Sequence, residues 1–382
     1  MYCMKRILLP VLGLLLLAGC GNQRGLTASG LNPKNFESTY NGAKTGLYTL
    51  TNDNGMEVCI TNFGGRIVSI MVPGRDSVMR DVVLGFDKVS DYFPENNQTD
   101  FGAAIGRYAN RIGHGKFTLD GVEYQLPQNN YGHCLHGGPT GWQYQVYDVV
   151  EHDSSHLKLK IVSPAGDNGF PGEVTAFVTY KLTAKNRIDI RYEATADAPT
   201  IINMTNHAYF NLSGDPAHHP ITNDMLMVNA SSYTPIDSTF MTTGEIKPVK
   251  HTPFDLTVPT LIGTFIDAKY DQTEYAMGYD HNFVLNTQGD DKKLAALLYS
   301  PKSGITMMVY TSEPGLQVYS GNFLDGSVTG KNGVQYEKRH AICLETQHYP
   351  DSPNKADWPS VVLRPGETYS SHTVYAFSTR KK

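Results

Sequence analysis

Glu345 is an acidic residue at the end of an apolar, strand-like run of the sequence. The run reads Ala-Ile-Cys-Leu-Glu, and Ile342 and Leu344 alternate with other side chains as in a β-strand. A carboxylate in such a strand is costly to desolvate unless it is paired or hydrogen-bonded. Pro350 and Pro353 lie in the polar loop that follows and force the chain out of the sheet. An acid held beside a rigid loop is typical of a positioned general base.

His207 is a second candidate for proton transfer. It lies in the segment 201–212, whose other polar members are all neutral, and within a strand that we predict over residues 200–209. Imidazole is the side chain best suited to acid–base work near neutral pH. A single histidine in a strand is more often structural, but Asn206 and Tyr209 flank His207 with groups suited to hydroxylated ligands. We therefore treat His207 as a candidate acid or base.

Three further polar positions could contact a ligand. His136 precedes two glycines that would let a ligand approach the backbone, although it could also be a turn residue. Arg111 offers a planar fork for bidentate contacts, or a surface ion pair. Asp280 lies at the entry to a predicted strand, where it could simply form a turn. His133 and His136 could bind a metal, but no third ligand is apparent nearby.

The elements that must position these residues are predicted to be β-strands. Residues 48–52 and 56–62 flank an Asp-Asn-Gly turn, and Asp120-Gly121 tolerates the positive φ angles of a type I′ hairpin turn. Further strands are predicted at 144–150, 156–162, 174–182, 187–194, 200–209, 225–228, 304–310, 317–319, 361–363 and 369–377. No long amphipathic helix is indicated, and 36 glycines and 21 prolines interrupt the chain. We predict one antiparallel all-β domain, a sandwich or barrel, over residues 45–380.

The N-terminal residues are predicted to be an export signal. Lys5 and Arg6 precede an apolar run, residues 7–17, that is short for a membrane span. Leu-Ala-Gly before Cys20 resembles a bacterial lipobox, so residues 1–19 would be removed and Cys20 lipidated. An uncleaved signal anchor is the alternative. We expect a flexible tether over residues 20–44 and a lipid-anchored protein of the cell envelope.

Composition and missing motifs exclude several classes of function. The net charge of −5 argues against a nucleic-acid partner. Cys59, Cys134 and Cys343 show no Cys-x-x-Cys spacing, so neither a disulfide framework nor a zinc ribbon is indicated. The sequence also contains no Walker A loop, Gly-x-Ser-x-Gly elbow, His-Glu-x-x-His motif or dinucleotide fingerprint. Nucleotide-dependent and serine-hydrolase chemistry is therefore disfavoured.

Six motifs, in order and spacing, resemble those of the aldose 1-epimerase (galactose mutarotase) family over about residues 45–377. They are Ala-Asn-Arg at 109–111, Leu-His-Gly-Gly at 135–138, Thr-Asn-His-Ala-Tyr-Phe-Asn-Leu at 205–212, Tyr-Asp-His-Asn-Phe at 279–283, Gly-Leu-Gln-Val-Tyr at 315–319 and Glu-Thr-Gln-His-Tyr-Pro-Asp-Ser-Pro-Asn at 345–354. Residues 131–134, Tyr-Gly-His-Cys, depart from the pattern and leave the local loop contacts in doubt.

The resemblance implies a large β-sandwich of the galactose mutarotase type and interconversion of the α and β anomers of free hexoses. It implies that Glu345 is the general base, that His207 is the general acid and that His136 assists. The residues that would hold the sugar are Asn110, Arg111, His136, His207, Tyr209, Asp280 and Gln317. We expect no required cofactor, with a Ca²⁺ ion left open, and a monomer whose partner is a small aldose.

Physical chemistry is consistent with these roles. Ring opening needs a base at one oxygen and an acid at another, and we expect a facing carboxylate and imidazolium to lower one pKa and raise the other. Three alternatives remain. The protein could bind sugars without catalysis, it could hydrolyse glycosides if Asp280 were a second carboxylate, or it could act on phosphorylated hexoses, although the motifs contain no cluster of basic residues.

Overall fold

Antiparallel strands form most of the regular structure in residues 25–380, which are the residues that the computed structural model describes. The largest sheet has nine strands. In spatial order they are Asp148–His152, His156–Ser163, Val174–Leu182, Arg187–Ala196, Tyr369–Thr379, Ile305–Thr311, Leu294–Tyr299, Met225–Val228 and Thr260–Leu261. In Val174–Leu182 buried residues alternate with more exposed ones, so that this strand turns one face to the core.

Two smaller sheets lie against the same core. The six-stranded sheet consists, in spatial order, of Tyr209–Phe210, Ile342–Gln347, Gly315–Tyr319, Asp280–Leu285, Ala230–Thr234 and Lys247–Pro248. The four-stranded sheet consists of Leu47–Thr51, Glu57–Thr61, Arg66–Pro73 and Met79–Asp81. One apolar cluster includes buried residues of all three sheets, such as Val178, Leu344 and Ile70. The all-β sandwich predicted from the sequence is confirmed.

Short elements complete the fold. The two-stranded pairs are Ser38–Tyr40 with Ala43–Thr45, Ala104–Ile105 with Thr205–Asn206, Arg111–Ile112 with Cys134–Leu135, Lys116–Leu119 with Val122–Gln125, and Thr200–Ile201 with Val362–Leu363. The 3₁₀ turns are Pro33–Phe36, Val89–Tyr92, Gly113–Gly115, Trp142–Tyr144, Asp167–Gly169, Ile221–Asn223, Ile262–Thr264, Lys331–Gly333 and Ser352–Asn354. Asp271–Ala276 is the single α-helix within residues 25–380, in agreement with the predicted scarcity of helix. No helix in this part of the chain is long and apolar enough to cross a membrane.

The two hairpins predicted from turn residues are present. Leu47–Thr51 pairs with Glu57–Thr61, and Lys116–Leu119 pairs with Val122–Gln125. In the second hairpin Asp120 and Gly121 have φ angles of 51° and 81°, as the two central residues of a type I′ turn require.

The described part of the predicted tether, residues 25–44, is packed on the domain, so the expected flexible tether over 20–44 needs correction there. Leu31 and Phe36 are buried in an apolar cluster. The backbone N–H groups of Ala28 and Ser29 donate to the carboxylate of Glu57. The tether was predicted because the segment is mostly polar, but Leu31 and Phe36 pack it against the domain. The predicted signal, residues 1–19, and Cys20 lie outside the described residues.

The single strand predicted over residues 200–209 is also corrected. The structure has three short strands instead, Thr200–Ile201, Thr205–Asn206 and Tyr209–Phe210. They pair with Val362–Leu363, Ala104–Ile105 and Ile342–Gln347 respectively. Because the chain changes partner twice, His207 lies between two strands and not within one.

Candidate active site

The floor of the candidate site is one face of the six-stranded sheet. Every residue of the strand Ile342–Gln347 is buried. Ile342 and Leu344 point into the main apolar core, so the alternation of a strand places Glu345 on the opposite face. Gln317 is the register partner of Glu345 on the neighbouring strand. The sequence pattern at Glu345 therefore had a structural cause: the apolar residues face the core and the acid faces the site.

His207 is held over this floor by its backbone and by neighbouring rings. Its N–H donates to the carbonyl of Ala103, and its carbonyl accepts from the N–H of Gly102. The imidazole is stacked on Tyr209, with ring centroids 5.1 Å apart, and it packs edge-to-face with His136, with ring centroids 5.2 Å apart. Asn206, which the sequence suggested as a ligand contact, instead donates to the carbonyl of Gly102 and accepts from the N–H of Ala208. Asn206 thus shapes the turn around His207.

Asn110, Arg111 and His136 form the adjacent wall. Asn110 has a φ of 62°, its N–H donates to Nδ1 of His136, and its carbonyl accepts from the N–H of His136. The side-chain oxygen of Asn110 accepts from the N–H of Arg111, and the guanidinium of Arg111 donates to Asn130. Because Nδ1 of His136 is an acceptor, the proton of the neutral ring is on Nε2. His136 is therefore a hydrogen-bond donor at that atom.

These walls enclose a cavity of about 400 Å³, within the range typical of small-molecule sites. Its lining includes seven of the predicted site residues: Asn110, Arg111, His136, His207, Tyr209, Asp280 and Glu345. Gln317, the eighth, is not part of the lining. It lies beside Asp280, and its Nε2 donates to Oδ1 of Asp280 at 2.7 Å. The sequence motifs thus converge on one cavity, with Gln317 supporting it from the side.

Glu345 and His207 form a buried pair at the bottom of the cavity. Oε1 of Glu345 lies 3.4 Å from Nε2 of His207, and their side chains are 2% and 6% exposed. Burial raises the pKa of Glu345 well above its usual value, and the carboxylates of Asp280 and Asp100 add to this rise. Burial lowers the pKa of His207. Both directions are opposite to those expected from the sequence, because the desolvation of each charge outweighs their attraction.

Because burial favours the neutral form of each group, we expect a protonated carboxyl group on Glu345 and a neutral imidazole on His207 before a ligand binds. Moving the proton from Glu345 to His207 leaves the net charge of the pair unchanged. The pair can therefore act as a carboxylate base with an imidazolium acid, or as a carboxyl acid with an imidazole base. Hydroxyl groups of a ligand that donate to the carboxylate would favour the charged arrangement. The geometry is therefore suited to taking a proton at one atom of a ligand and giving one at another.

Asp100 is a site residue that the sequence did not reveal. It borders the cavity, and its Oδ1 is buried without a hydrogen-bond partner among the described residues. It lies in a loop without periodicity or motif, and no local signal marks it. Only the fold brings this loop to the two histidines.

Asp100, His136 and His207 also resemble a metal-binding cluster, since one ligand atom from each lies within 4.8 Å of the others. A metal would need a lone pair on Nε2 of His136. That nitrogen carries the ring proton, because Nδ1 accepts from the N–H of Asn110. The arrangement is therefore better suited to bind a hydroxyl group than a metal ion.

Comparisons with known proteins identify the family of this chain. Residues 46–376 match the family model described as aldose 1-epimerase. The galactose mutarotase of Mus musculus is 41% identical over 85% of this chain and 91% of that protein, and the aldose 1-epimerase of Escherichia coli (strain K12) is 39% identical over 87% and 94%. The crystal structure of a GalM/aldose epimerase homologue from C. elegans has a TM-score of 0.81 and 32% identity, over 88% of this chain and 99% of that one. This chain belongs to the aldose 1-epimerase family.

Proposed function

We propose that the protein is an aldose 1-epimerase, an isomerase that interconverts the α and β anomers of free hexoses such as galactose and glucose. The observation that carries this proposal is the Glu345–His207 pair, 3.4 Å apart at the bottom of a polar cavity. The names of the curated relatives, galactose mutarotase and aldose 1-epimerase, support the same activity.

In the proposed reaction Glu345 and His207 act on two oxygens of the sugar. The carboxylate of Glu345 takes the proton of the C1 hydroxyl, and His207 gives a proton to the ring oxygen. The bond between C1 and the ring oxygen breaks, C1 becomes an aldehyde carbon, and no electron or group is transferred. Rotation about C1–C2 presents the other face of the aldehyde. Reversal of the two proton transfers then closes the ring as the other anomer.

The wall and floor residues would hold the sugar for these transfers. Arg111 and Asp280 offer a donor and an acceptor for ring hydroxyls, and Gln317 orients Asp280 through its 2.7 Å hydrogen bond. Burial raises the pKa of Asp280, while Arg111 and Gln317 oppose this rise and favour the charged acceptor. Asn110 and Tyr209 complete the proposed contacts, and His136, with its proton on Nε2, assists near the ring oxygen. The steps use only proton transfers, so we propose that no cofactor is required. We also propose that the protein acts as a monomer.

Polarimetry on freshly dissolved sugars tests the function. We expect the purified protein to accelerate the change in optical rotation of α-galactose or α-glucose well above the rate in buffer. Methyl α-galactoside, whose anomeric oxygen is blocked, should show no change and release no reducing sugar. Absence of acceleration on free hexoses would favour a sugar-binding protein, and release of reducing sugar would favour a glycoside hydrolase.

We also propose that the protein is anchored in the cell envelope by a lipid on Cys20. The lipobox-like sequence before this residue supports the proposal. We expect wild-type protein in the membrane fraction of a bacterial host that processes lipoproteins, and the Cys20→Ala variant in the soluble fraction. Wild-type protein recovered entirely from the cytosol would contradict the anchor.

A further inference from the structure

Asp100 is a charged residue at the cavity that the proton-transfer steps do not use. Oδ1 of its side chain is buried and has no hydrogen-bond partner within the described residues. One of its carboxylate oxygens lies within 4.8 Å of a nitrogen of His136 and of a nitrogen of His207. A buried acceptor without a partner is costly, and at a cavity wall it is expected to be paired by a ligand.

An Asp100 oxygen within 4.8 Å of a His136 nitrogen leaves room for one bridging hydroxyl. Two hydrogen bonds of about 2.8 Å that meet at a tetrahedral oxygen place their outer atoms about 4.6 Å apart. His136 donates from Nε2, because its Nδ1 accepts from Asn110. A carboxylate accepts only. A hydroxyl group, which accepts and donates, would satisfy both His136 and Asp100 at once.

The position of His207 indicates which hydroxyl this would be. In the proposed reaction His207 addresses the ring oxygen, whose two neighbours in the sugar are C1 and C5. The hydroxyl on C1 is directed to Glu345. The group that lies next to the ring oxygen on its other side is the exocyclic C6 substituent on C5. A carboxylate oxygen of Asp100 lies within 4.8 Å of a ring nitrogen of His207, so Asp100 is placed to reach this substituent.

The charges around the subsite oppose an anionic substituent. The carboxylates of Asp100 and Asp280 line the cavity, and Arg111 is the one Lys or Arg side chain in its lining. A second cation, Arg66, is fully buried and is not part of the cavity lining, and its guanidinium donates to the carbonyls of Phe101 and Gln143. Burial lowers the pKa of His136 to about 3, with Asp100 opposing, so that its imidazole stays neutral near pH 7 and does not offset a negative ligand.

We propose that Asp100 is a specificity-determining residue that binds the C6 hydroxyl of neutral hexoses and excludes aldoses that carry a carboxylate or phosphate at C6. This inference rests on the proposed epimerase activity and names the substrate class of the same site. It assigns the discrimination between neutral and anionic sugars to a residue outside the acid–base pair.

Mutarotation of three sugars by the full-length protein tests the proposal. The sugars are galactose, 6-deoxygalactose and galacturonate at pH 7, and the variants are Asp100→Asn and Asp100→Ala. Glu95→Gln is the matched control, since it removes the same charge from an exposed position of the same segment. We expect wild type and control to prefer galactose over 6-deoxygalactose by about tenfold or more in kcat/KM, as for the loss of a hydrogen bond to a charged group.

In the Asp100→Ala variant this preference should fall to about threefold or less, and kcat/KM for galacturonate should rise about tenfold or more. In Asp100→Asn the galacturonate value should rise too, because the negative charge is removed. A purely structural role would lower the rates for all three sugars together and leave their ratios unchanged, which would overturn the assignment. Absence of wild-type activity on galactose would instead overturn the proposed function itself.

Discussion

At the scale of single residues, the protonation of Glu345 and His207 determines what the site can do. Each group is nearly fully buried, and burial favours the neutral form of both. A buried carboxylate and a buried imidazolium would each need hydrogen bonds or an opposite charge, from the ligand or the protein, to offset the cost of desolvation. The pair avoids this cost at rest and forms its charged arrangement when a sugar supplies hydrogen bonds.

This arrangement predicts a bell-shaped dependence of kcat/KM on pH. Activity needs one proton on the pair, so it should fall at low pH when a second proton binds and at high pH when the first is lost. Because the pKa of His207 is lowered from 6.5, the acidic limb should lie below pH 6.5. Because the pKa of Glu345 is raised well above 4.5, activity should persist far above that value. Polarimetry between pH 4 and 10 measures both limbs, and an acidic limb above pH 7 would contradict this account.

The sequence predicted the acid–base pair but not its electrostatics. Glu345 and His207 were identified by residue type and by the family motifs around them. The directions of their pKa shifts depend on burial by strands that are distant in the chain, and Coulomb attraction alone gave the wrong signs. Asp100 was missed because its loop carries no pattern, and its proposed role depends on its proximity to His136 and His207 in space.

At the scale of elements, alternation and turn chemistry predicted the regular strands well. The Asp120-Gly121 hairpin and the long strands of the nine-stranded sheet follow directly from local sequence. The segment around His207 did not, because its three short strands exchange partners. Asn203 lies at the break between the first two of these strands. Its N–H donates to the backbone carbonyl of Arg107, and its side-chain oxygen accepts from the N–H of His348. Such long-range bonds leave no periodic signal in the sequence.

Asp224 provides a test of burial at an element boundary. It follows the 3₁₀ turn Ile221–Asn223, is 4% exposed, and burial raises its pKa from 3.8 to about 7. Between these values the native state holds a proton that the unfolded chain lacks, so stability falls as pH rises through this range and stays lower above it. The Asp224→Asn variant should therefore raise the unfolding temperature by several degrees at pH 8 and by much less at pH 4.

Thermal unfolding followed by circular dichroism measures this effect. The exposed Asp357→Asn variant is the control and should change the unfolding temperature little at either pH. An equal shift in Asp224→Asn at pH 4 and pH 8 would show that the titration of this carboxyl does not contribute.

At the scale of the whole molecule, residues 25–44 belong to the sandwich. Phe36 is fully buried in the second apolar cluster, next to residues of the four-stranded sheet and the strand Ile342–Gln347. Its truncation to alanine should lower the free energy of unfolding by about 3–5 kcal/mol, the usual cost of removing a buried phenylalanine. Lys34→Ala, in the same 3₁₀ turn but exposed, should have little effect. Chemical denaturation compares the two, and a neutral Phe36→Ala would restore the interpretation of this segment as a tether.

The central claim is that Glu345 is the base that takes the proton of the anomeric hydroxyl. Glu345→Gln keeps the size and burial of the side chain but removes the base. We expect polarimetry on α-galactose to show that kcat falls by about 10²–10⁴-fold, as for the loss of a positioned acid or base, while circular dichroism shows wild-type folding. Near-normal turnover in the folded variant would contradict the account.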